Sequence, residues 1–65
     1  MTKRQKHYWD LQSYCGNTIA RIRDMIKTEQ ERQETIDDDV LSLLNTSIEN
    51  LEKAGKTCME RYKQL

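Results

Sequence analysis

The chain has 65 residues, with eleven basic and eleven acidic side chains and a formal net charge of zero. A zero balance gives no whole-chain attraction to nucleic acid, and no apolar run approaches the roughly 20 residues that a membrane-spanning helix needs. Cys15 and Cys58 lie too far apart for the dense disulfide framework of a small secreted domain. We therefore expect a single cytoplasmic domain over 1–65, whose small core needs support from other contacts.

The first predicted element is a helix over about residues 4 to 31. There is no proline and there are only two glycines, which favours helix throughout the chain. Apolar residues recur at alternating spacings of three and four, and two isoleucines widen the stripe as in a bundle helix. The stripe consists of Tyr8, Leu11, Cys15, Thr18, Ile22 and Met25, widened by Ile19 and Ile26.

The second predicted element is a helix over 36–63, with an uninterrupted heptad seam. Thr35 is the predicted N-cap, and Asp38 is the predicted capping-box acid three residues later. Successive aspartates at 37–39 suit the positive end of a helix dipole. The seam consists of Leu41, Leu44, Ile48, Leu51, Gly55, Cys58, Tyr62 and Leu65.

The two heptad frames do not join, because extending the first one places Ile36 and Leu43 on the seam instead of Leu41. This phase break predicts chain reversal near residues 32–36 and an all-α, antiparallel two-helix hairpin. The predicted register sets Met25 opposite Leu41 and Leu11 opposite Gly55. One continuous helix is the alternative, since residues 29–34 contain good helix formers.

The sequence contains no spacing of residues that is typical of a catalytic or metal-binding site. There is no His-Glu-x-x-His pattern and no glycine-rich phosphate loop, and His7 belongs to no spacing typical of metal ligands. We therefore predict a protein that is not an enzyme and binds no metal or cofactor. In the predicted register, Cys15 and Cys58 lie too far apart along the helix axes to form a disulfide, and they are expected to be free thiols. A redox or intermolecular role is the alternative.

Folding the chain at the predicted turn separates its charges. The open end gathers seven basic side chains against two acidic ones, and the turn end gathers seven acidic against two basic. Two copies packed antiparallel bring opposite poles together, which favours an antiparallel homodimer. The open-end residues are Lys3, Arg4, Lys6, Lys53, Lys56, Arg61 and Lys63 against Asp10 and Glu60; the turn-end residues are Asp24, Glu29, Glu31, Glu34 and Asp37–Asp39 against Lys27 and Arg32.

One hairpin covers only one stripe on each helix. In a monomer, part of the apolar surface outside the two seams is expected to remain exposed to solvent, and a dimeric four-helix bundle covers it. The residues concerned are Ile19, Ile26, Val40, Leu43 and Met59. The alternative is a monomer whose extra stripe docks onto a different protein.

Tyr8, Trp9 and Tyr14 are the predicted partner-binding residues, because tryptophan and tyrosine dominate binding hot spots. Packing in the core or dimer interface is the other interpretation of these rings. Basic residues interleave with them, and a mixture of this kind also binds nucleic acid through phosphate contacts and base stacking. The candidate nucleic-acid contacts are Lys3, Arg4, Lys6, Lys56, Arg61 and Lys63.

The chain resembles the Rop-like helical-hairpin regulators of plasmid copy number. Its length is similar, it opens with Met1-Thr2-Lys3, and the segment 58–62, Cys-Met-Glu-Arg-Tyr, is similar to the late second helix of that family. The resemblance implies an antiparallel four-helix dimer that binds paired RNA loops. In size and character the chain also resembles small accessory proteins of temperate bacteriophages. The leading hypothesis is a homodimeric regulator that binds a host or cellular protein; a Rop-like RNA binder is the alternative.

Overall fold

A computed structural model describes residues 1–32 and 36–64 of the chain. It consists of two helices, α1 (Lys3–Glu31) and α2 (Asp38–Lys63), packed antiparallel. The long dimension is 47 Å, about half the roughly 90 Å that one continuous helix requires at 1.5 Å per residue. The predicted all-α hairpin is confirmed, and the continuous-helix alternative is wrong.

Helix α1 begins at a complete capping box. The Thr2 hydroxyl accepts a hydrogen bond from the Gln5 backbone N–H at 3.1 Å, and the Gln5 side chain accepts one from the Thr2 N–H at 2.9 Å. Two of the otherwise unpaired N–H groups at the helix start are satisfied in this way. The sequence Thr-x-x-Gln at residues 2–5 is a signature of a helix start, and it places the start at Lys3, one residue before the predicted one. The helix ends at Arg32, its C-cap.

Helix α2 begins two residues later than predicted. Its N-cap is Asp37, whose carboxylate accepts hydrogen bonds from the backbone N–H groups of Asp39 and Val40. Asp38 is therefore the first helical residue and not a capping-box acid. Aspartate caps a helix at least as well as threonine, which accounts for the correction. The predicted cap, Thr35, lies outside the described residues.

The seam of α2 is confirmed from residue 41 to residue 62, and Leu65 lies outside the described residues. Every seam position in that range is half-buried or buried, while most of its neighbours are exposed. The seam of α1 differs from the prediction: Leu11, Thr18 and Met25 are exposed, and the residues that follow each of them are half-buried instead. The observed α1 seam is Gln5, Tyr8, Gln12, Cys15, Ile19, Ile22, Ile26 and Glu29.

The register of the two helices also differs from the prediction. A Cβ atom built on Gly55 would lie 3.6 Å from the Cβ atom of Cys15, so Cys15 takes the place predicted for Leu11. The rings of Trp9 and Tyr62 lie 5.7 Å apart, in the same register. The shift is about one helical turn. The two-residue delay in the start of α2 is in the same direction and corresponds to about half of this shift.

The hairpin encloses very little. Ile48, with 7% of its surface exposed, is the only buried residue among those described. Counting seven residues from the Cys15–Gly55 pair sets Ile22 level with Ile48, in the isoleucine- and leucine-rich half near the turn. Among the described residues one ion pair joins the helices, Arg23 to Glu52 at 2.9 Å, and it is exposed. Such pairs stabilise by at most about 1 kcal/mol. Burial in the single hairpin is correspondingly modest.

Candidate interaction surfaces

Each helix has two flanks beside its seam, and simple positions in the sequence distinguish them. Arg23 follows the seam residue Ile22, Glu52 follows the seam residue Leu51, and their side chains meet. Residues that immediately follow a seam residue therefore share one side of the hairpin. Residues that immediately precede a seam residue lie on the opposite side, because adjacent positions in a helix point about 100° apart.

Most of the exposed large apolar side chains lie on the preceding side. Leu43 is 68% exposed and Tyr14 is 66% exposed, and they precede the seam residues Leu44 and Cys15. We call this side the apolar face. It comprises the exposed residues Leu11, Tyr14, Met25, Val40 and Leu43. Single apolar residues on a surface need no explanation, but five on one flank, two towards the open end and three towards the turn, make this flank the candidate contact surface.

All the formal charges on the apolar face are positive. Arg4, Arg21 and Arg61 precede seam residues, as does His7, whereas no described aspartate or glutamate precedes one. Arg21 makes no salt bridge with any residue in the described parts of the chain. Arginine combines an apolar stem with a planar cationic head. The face therefore suits a partner that offers apolar surface together with aromatic rings or carboxylates.

Two small polar residues of the apolar face, Thr18 and Ser47, already have hydrogen-bond partners for their hydroxyls. The Thr18 hydroxyl donates to the Tyr14 carbonyl at 2.7 Å, and the Ser47 hydroxyl donates to the Leu43 carbonyl at 2.9 Å. Burying an unpaired donor costs about 1–3 kcal/mol, and these two hydroxyls avoid that cost. Neither one therefore opposes covering the apolar face.

The opposite side, which we call the groove face, is more polar. An open groove of about 290 Å³ runs along it, with an apolar floor and polar walls. Trp9 lies on the same side towards the open end of the hairpin and is 43% exposed. Nothing lies within 4 Å of a Cβ atom built on Gly16, so the groove is open to solvent at this residue. The groove is lined by Gln12, Cys15, Gly16, Ile19, Leu51, Glu52, Gly55, Lys56 and Met59.

The three aromatic residues predicted to bind a partner do not lie together. Tyr8 is half-buried in the α1 seam, and its ring lies 5.5 Å from that of His7. Trp9 lies on the groove face and Tyr14 on the apolar face. They therefore cannot form one binding surface, and Trp9 and Tyr14 are candidates for two different contacts.

The six predicted nucleic-acid contacts are also divided. Arg4 and Arg61 lie on the apolar face, whereas Lys6, Lys56 and Lys63 follow seam residues and lie on the groove face. Lys3, the first residue of α1, is next to no seam residue and lies on neither face. The observed register sets Lys56, with Lys53, near mid-length, beside the Cys15–Gly55 contact. Their predicted place at the open end is therefore wrong, and the open pole is less basic than predicted.

Lys6 is already engaged within its own helix. Its ammonium group lies 2.7 Å from the Asp10 carboxylate. The hydrogen bond to Asp10 and the charge of that carboxylate raise the pKa of Lys6 above its ordinary value. A phosphate must compete with Asp10 for this cation, which weakens the case for Lys6 as a nucleic-acid contact.

Both thiols lie in the seam. Cys15 and Cys58 are free and half-buried. Within residues 1–32 and 36–64, no cluster of three or more His, Cys, Asp or Glu side chains is arranged to hold a metal ion. Neither helix, over its described length, is long and apolar enough to cross a membrane. No protein-family model, curated protein or solved structure matches this chain.

Proposed function

We propose that this chain is a non-catalytic helical interaction protein, a homodimer that binds and modulates a host or cellular protein in the cytoplasm. The observation that carries the proposal is the apolar face. Five large apolar side chains lie exposed on one flank of a hairpin in which Ile48 alone is buried among the described residues. A second helical layer on this flank supplies the missing burial, as in dimeric four-helix bundles.

The energetics favour association. Domains below about 70 residues rarely gain more than about 3–5 kcal/mol of stability from a single core. The core of this hairpin is small. Covering apolar surface contributes roughly 25 cal/mol per Å². Because association stabilises the folded chain by mass action, dimerisation and folding reinforce each other here.

The groove face is the proposed site for the target protein. It stays outward when the apolar face is covered, and it carries Trp9, whose ring is both partly exposed and held against Tyr62. A ring fixed in place loses little conformational freedom on binding, which is why such side chains serve as interface anchors. Trp9 is therefore the best single candidate for the regulatory contact.

Solution mass and shape test the dimer. Light scattering coupled to small-angle X-ray scattering, under reducing conditions and over a dilution series, is expected to show a compact particle of about twice 7.8 kDa. A monomer at every concentration would contradict the homodimer, and the apolar face would then have to be assigned to a different chain.

Replacing Trp9 by alanine is expected to weaken capture of the target protein at least tenfold while leaving helix content within a few per cent of wild type. The size follows from the 2 kcal/mol or more that a hot-spot residue contributes. Capture from cell extract on immobilised protein, with circular dichroism on the same samples, measures both. Trp9→Phe keeps a ring and serves as the control. Loss of helix in Trp9→Ala would instead identify Trp9 as a core residue.

A nucleic-acid regulator is the second candidate, favoured by the flank on which Arg4, Arg21 and Arg61 lie without a described carboxylate. Binding of this kind weakens with salt, with a log-log slope of about −0.9 per phosphate neutralised on duplex DNA and less on single strands. We expect no such binding, because the apolar face is covered in the dimer. Fluorescence anisotropy with labelled RNA hairpins between low and moderate salt checks this, and a steep slope would favour the second candidate.

A further inference from the structure

We infer that the apolar face is covered by a second copy of this chain, packed antiparallel so that α1 contacts α1 of the copy, with the two-fold axis beside Thr18. This inference rests on the proposed homodimer and specifies its geometry. Two arrangements bring two such faces together. An axis across the helices gives antiparallel hairpins with α1 on α1, and an axis along the helices gives parallel hairpins with α1 on α2.

The α1 stripe on the apolar face is self-complementary about Thr18. Leu11 precedes Thr18 by seven residues and Met25 follows it by seven. In a two-fold interface, a residue i that contacts j of the copy is matched by j contacting i. An antiparallel α1 pair centred on Thr18 therefore sets Leu11 against Met25 of the copy twice, and places small side chains at the axis.

The same pairing gives Arg21 a partner. It brings Arg21 beside Tyr14 of the copy, since the two positions lie three residues after and four residues before Thr18. Tyr14 is highly exposed in the hairpin, so its side chain is accessible to the copy. A guanidinium group over a tyrosine ring is attracted by the ring quadrupole, more strongly when water is excluded. This contact offsets part of the cost of covering Arg21.

Helix α2 accommodates this arrangement. The Cys15–Gly55 contact sets Thr18 level with Glu52. Around this level the apolar face of α2 carries only small or short side chains, which let two α2 helices approach closely. Leu43 lies further out and meets the apolar stem of Arg61 of the copy. The short residues are Ser47, Asn50, Ala54 and Thr57.

Charge selects between the two arrangements. The turn carries three consecutive aspartates at 37–39, whereas Arg4 and Arg61 lie at the open end. In the antiparallel dimer each acidic turn lies beside the basic open end of the copy. In the parallel dimer both acidic turns lie at the same end, and the like charges repel. The two cations near the turn, Lys27 and Arg32, already pair with glutamates of α1. They therefore do little to reduce the repulsion between the two acidic turns.

Cross-linking at the axis tests the geometry. We would replace Cys15 and Cys58 by alanine and introduce Thr18→Cys, with Asn17→Cys on the outer side of α1 as the matched control. A short bis-maleimide is expected to join the Thr18→Cys copies at least ten times faster than the Asn17→Cys copies. A mixture of Leu11→Cys and Met25→Cys chains is expected to cross-link as a heterodimer, and each variant alone much less.

The outcomes separate this inference from the proposed function. A particle of dimeric mass whose Thr18→Cys copies cross-link no faster than the Asn17→Cys control overturns the pairing about Thr18 and leaves the homodimer intact. A monomeric mass for the parent Cys-free chain and for wild type overturns both. Fast cross-linking at Thr18 together with the Leu11–Met25 product supports the antiparallel α1 pair.

Discussion

The Leu43→Asp chain is expected to be monomeric at concentrations where wild type is a dimer. Leu43 is among the most exposed apolar side chains of the hairpin, so the change removes little from the intrachain core. In the dimer, however, the carboxylate is withdrawn from water beside Arg61 of the copy, and an ion pair repays that cost of several kcal/mol only when its geometry is excellent. A loss of about 2.8 kcal/mol is one hundred-fold in the dissociation constant. A dilution series followed by sedimentation or light scattering measures it.

Thr46→Asp is the matched control for this experiment. Thr46 lies on the same helix, is exposed, and falls on the outer side of α2, away from both the seam and the apolar face. It introduces the same charge and leaves the dimer unchanged in our proposal. Equal weakening by both variants would indicate a general effect of negative charge and would count against the apolar face as the interface.

The Ile48→Ala chain is expected to lose about 2–4 kcal/mol of unfolding free energy, which is most of the stability a hairpin of this size gains from its core. Ile48 is the one described residue that the hairpin buries, and truncation removes its contacts and leaves a void. Urea unfolding followed by circular dichroism at 222 nm, at one fixed protein concentration, provides the measurement.

Thr46→Ala provides the comparison for Ile48→Ala, because it truncates an exposed side chain two residues away in the same helix. It is expected to change the unfolding free energy by no more than about 0.5 kcal/mol, as exposed substitutions usually do. If both variants unfold at the same urea concentration, Ile48 is not the centre of the core and the described packing is wrong.

In α1, the spacing of apolar residues alone does not determine which side of the helix packs against α2. Two adjacent stripes of this helix carry apolar residues: Leu11, Thr18 and Met25 form one, and Gln12, Ile19 and Ile26 form the other. Both obey the same seven-residue repeat, so the pattern fits either as the seam. The prediction placed the first stripe in the seam and treated Ile19 and Ile26 as widening it. The second stripe faces α2, and Gln12 is accommodated because its amide donates to the Ser13 hydroxyl at 3.2 Å.

The predicted surfaces show the same limit. The aromatic residues Tyr8, Trp9 and Tyr14 are close together in the sequence, and closeness suggested one binding surface. Helical geometry turns successive residues by about 100°, so these three point to the seam, the groove face and the apolar face. Of the five residues predicted to remain partly exposed, Val40 and Leu43 are exposed, whereas Ile19, Ile26 and Met59 are half-buried.

The sequence by itself determined the two helices, the reversal between them and the seam of α2. Leucine and isoleucine recur there at spacings of three and four with no competing stripe, so only one side of the helix can be buried. Tertiary structure alone decided the register and the α1 seam. The Asp37 cap fixes where α2 begins, and the packing of the two seams sets Cys15 against Gly55. This choice leaves Leu11, Tyr14 and Met25 on the apolar face, because a two-helix contact buries only one stripe of each helix.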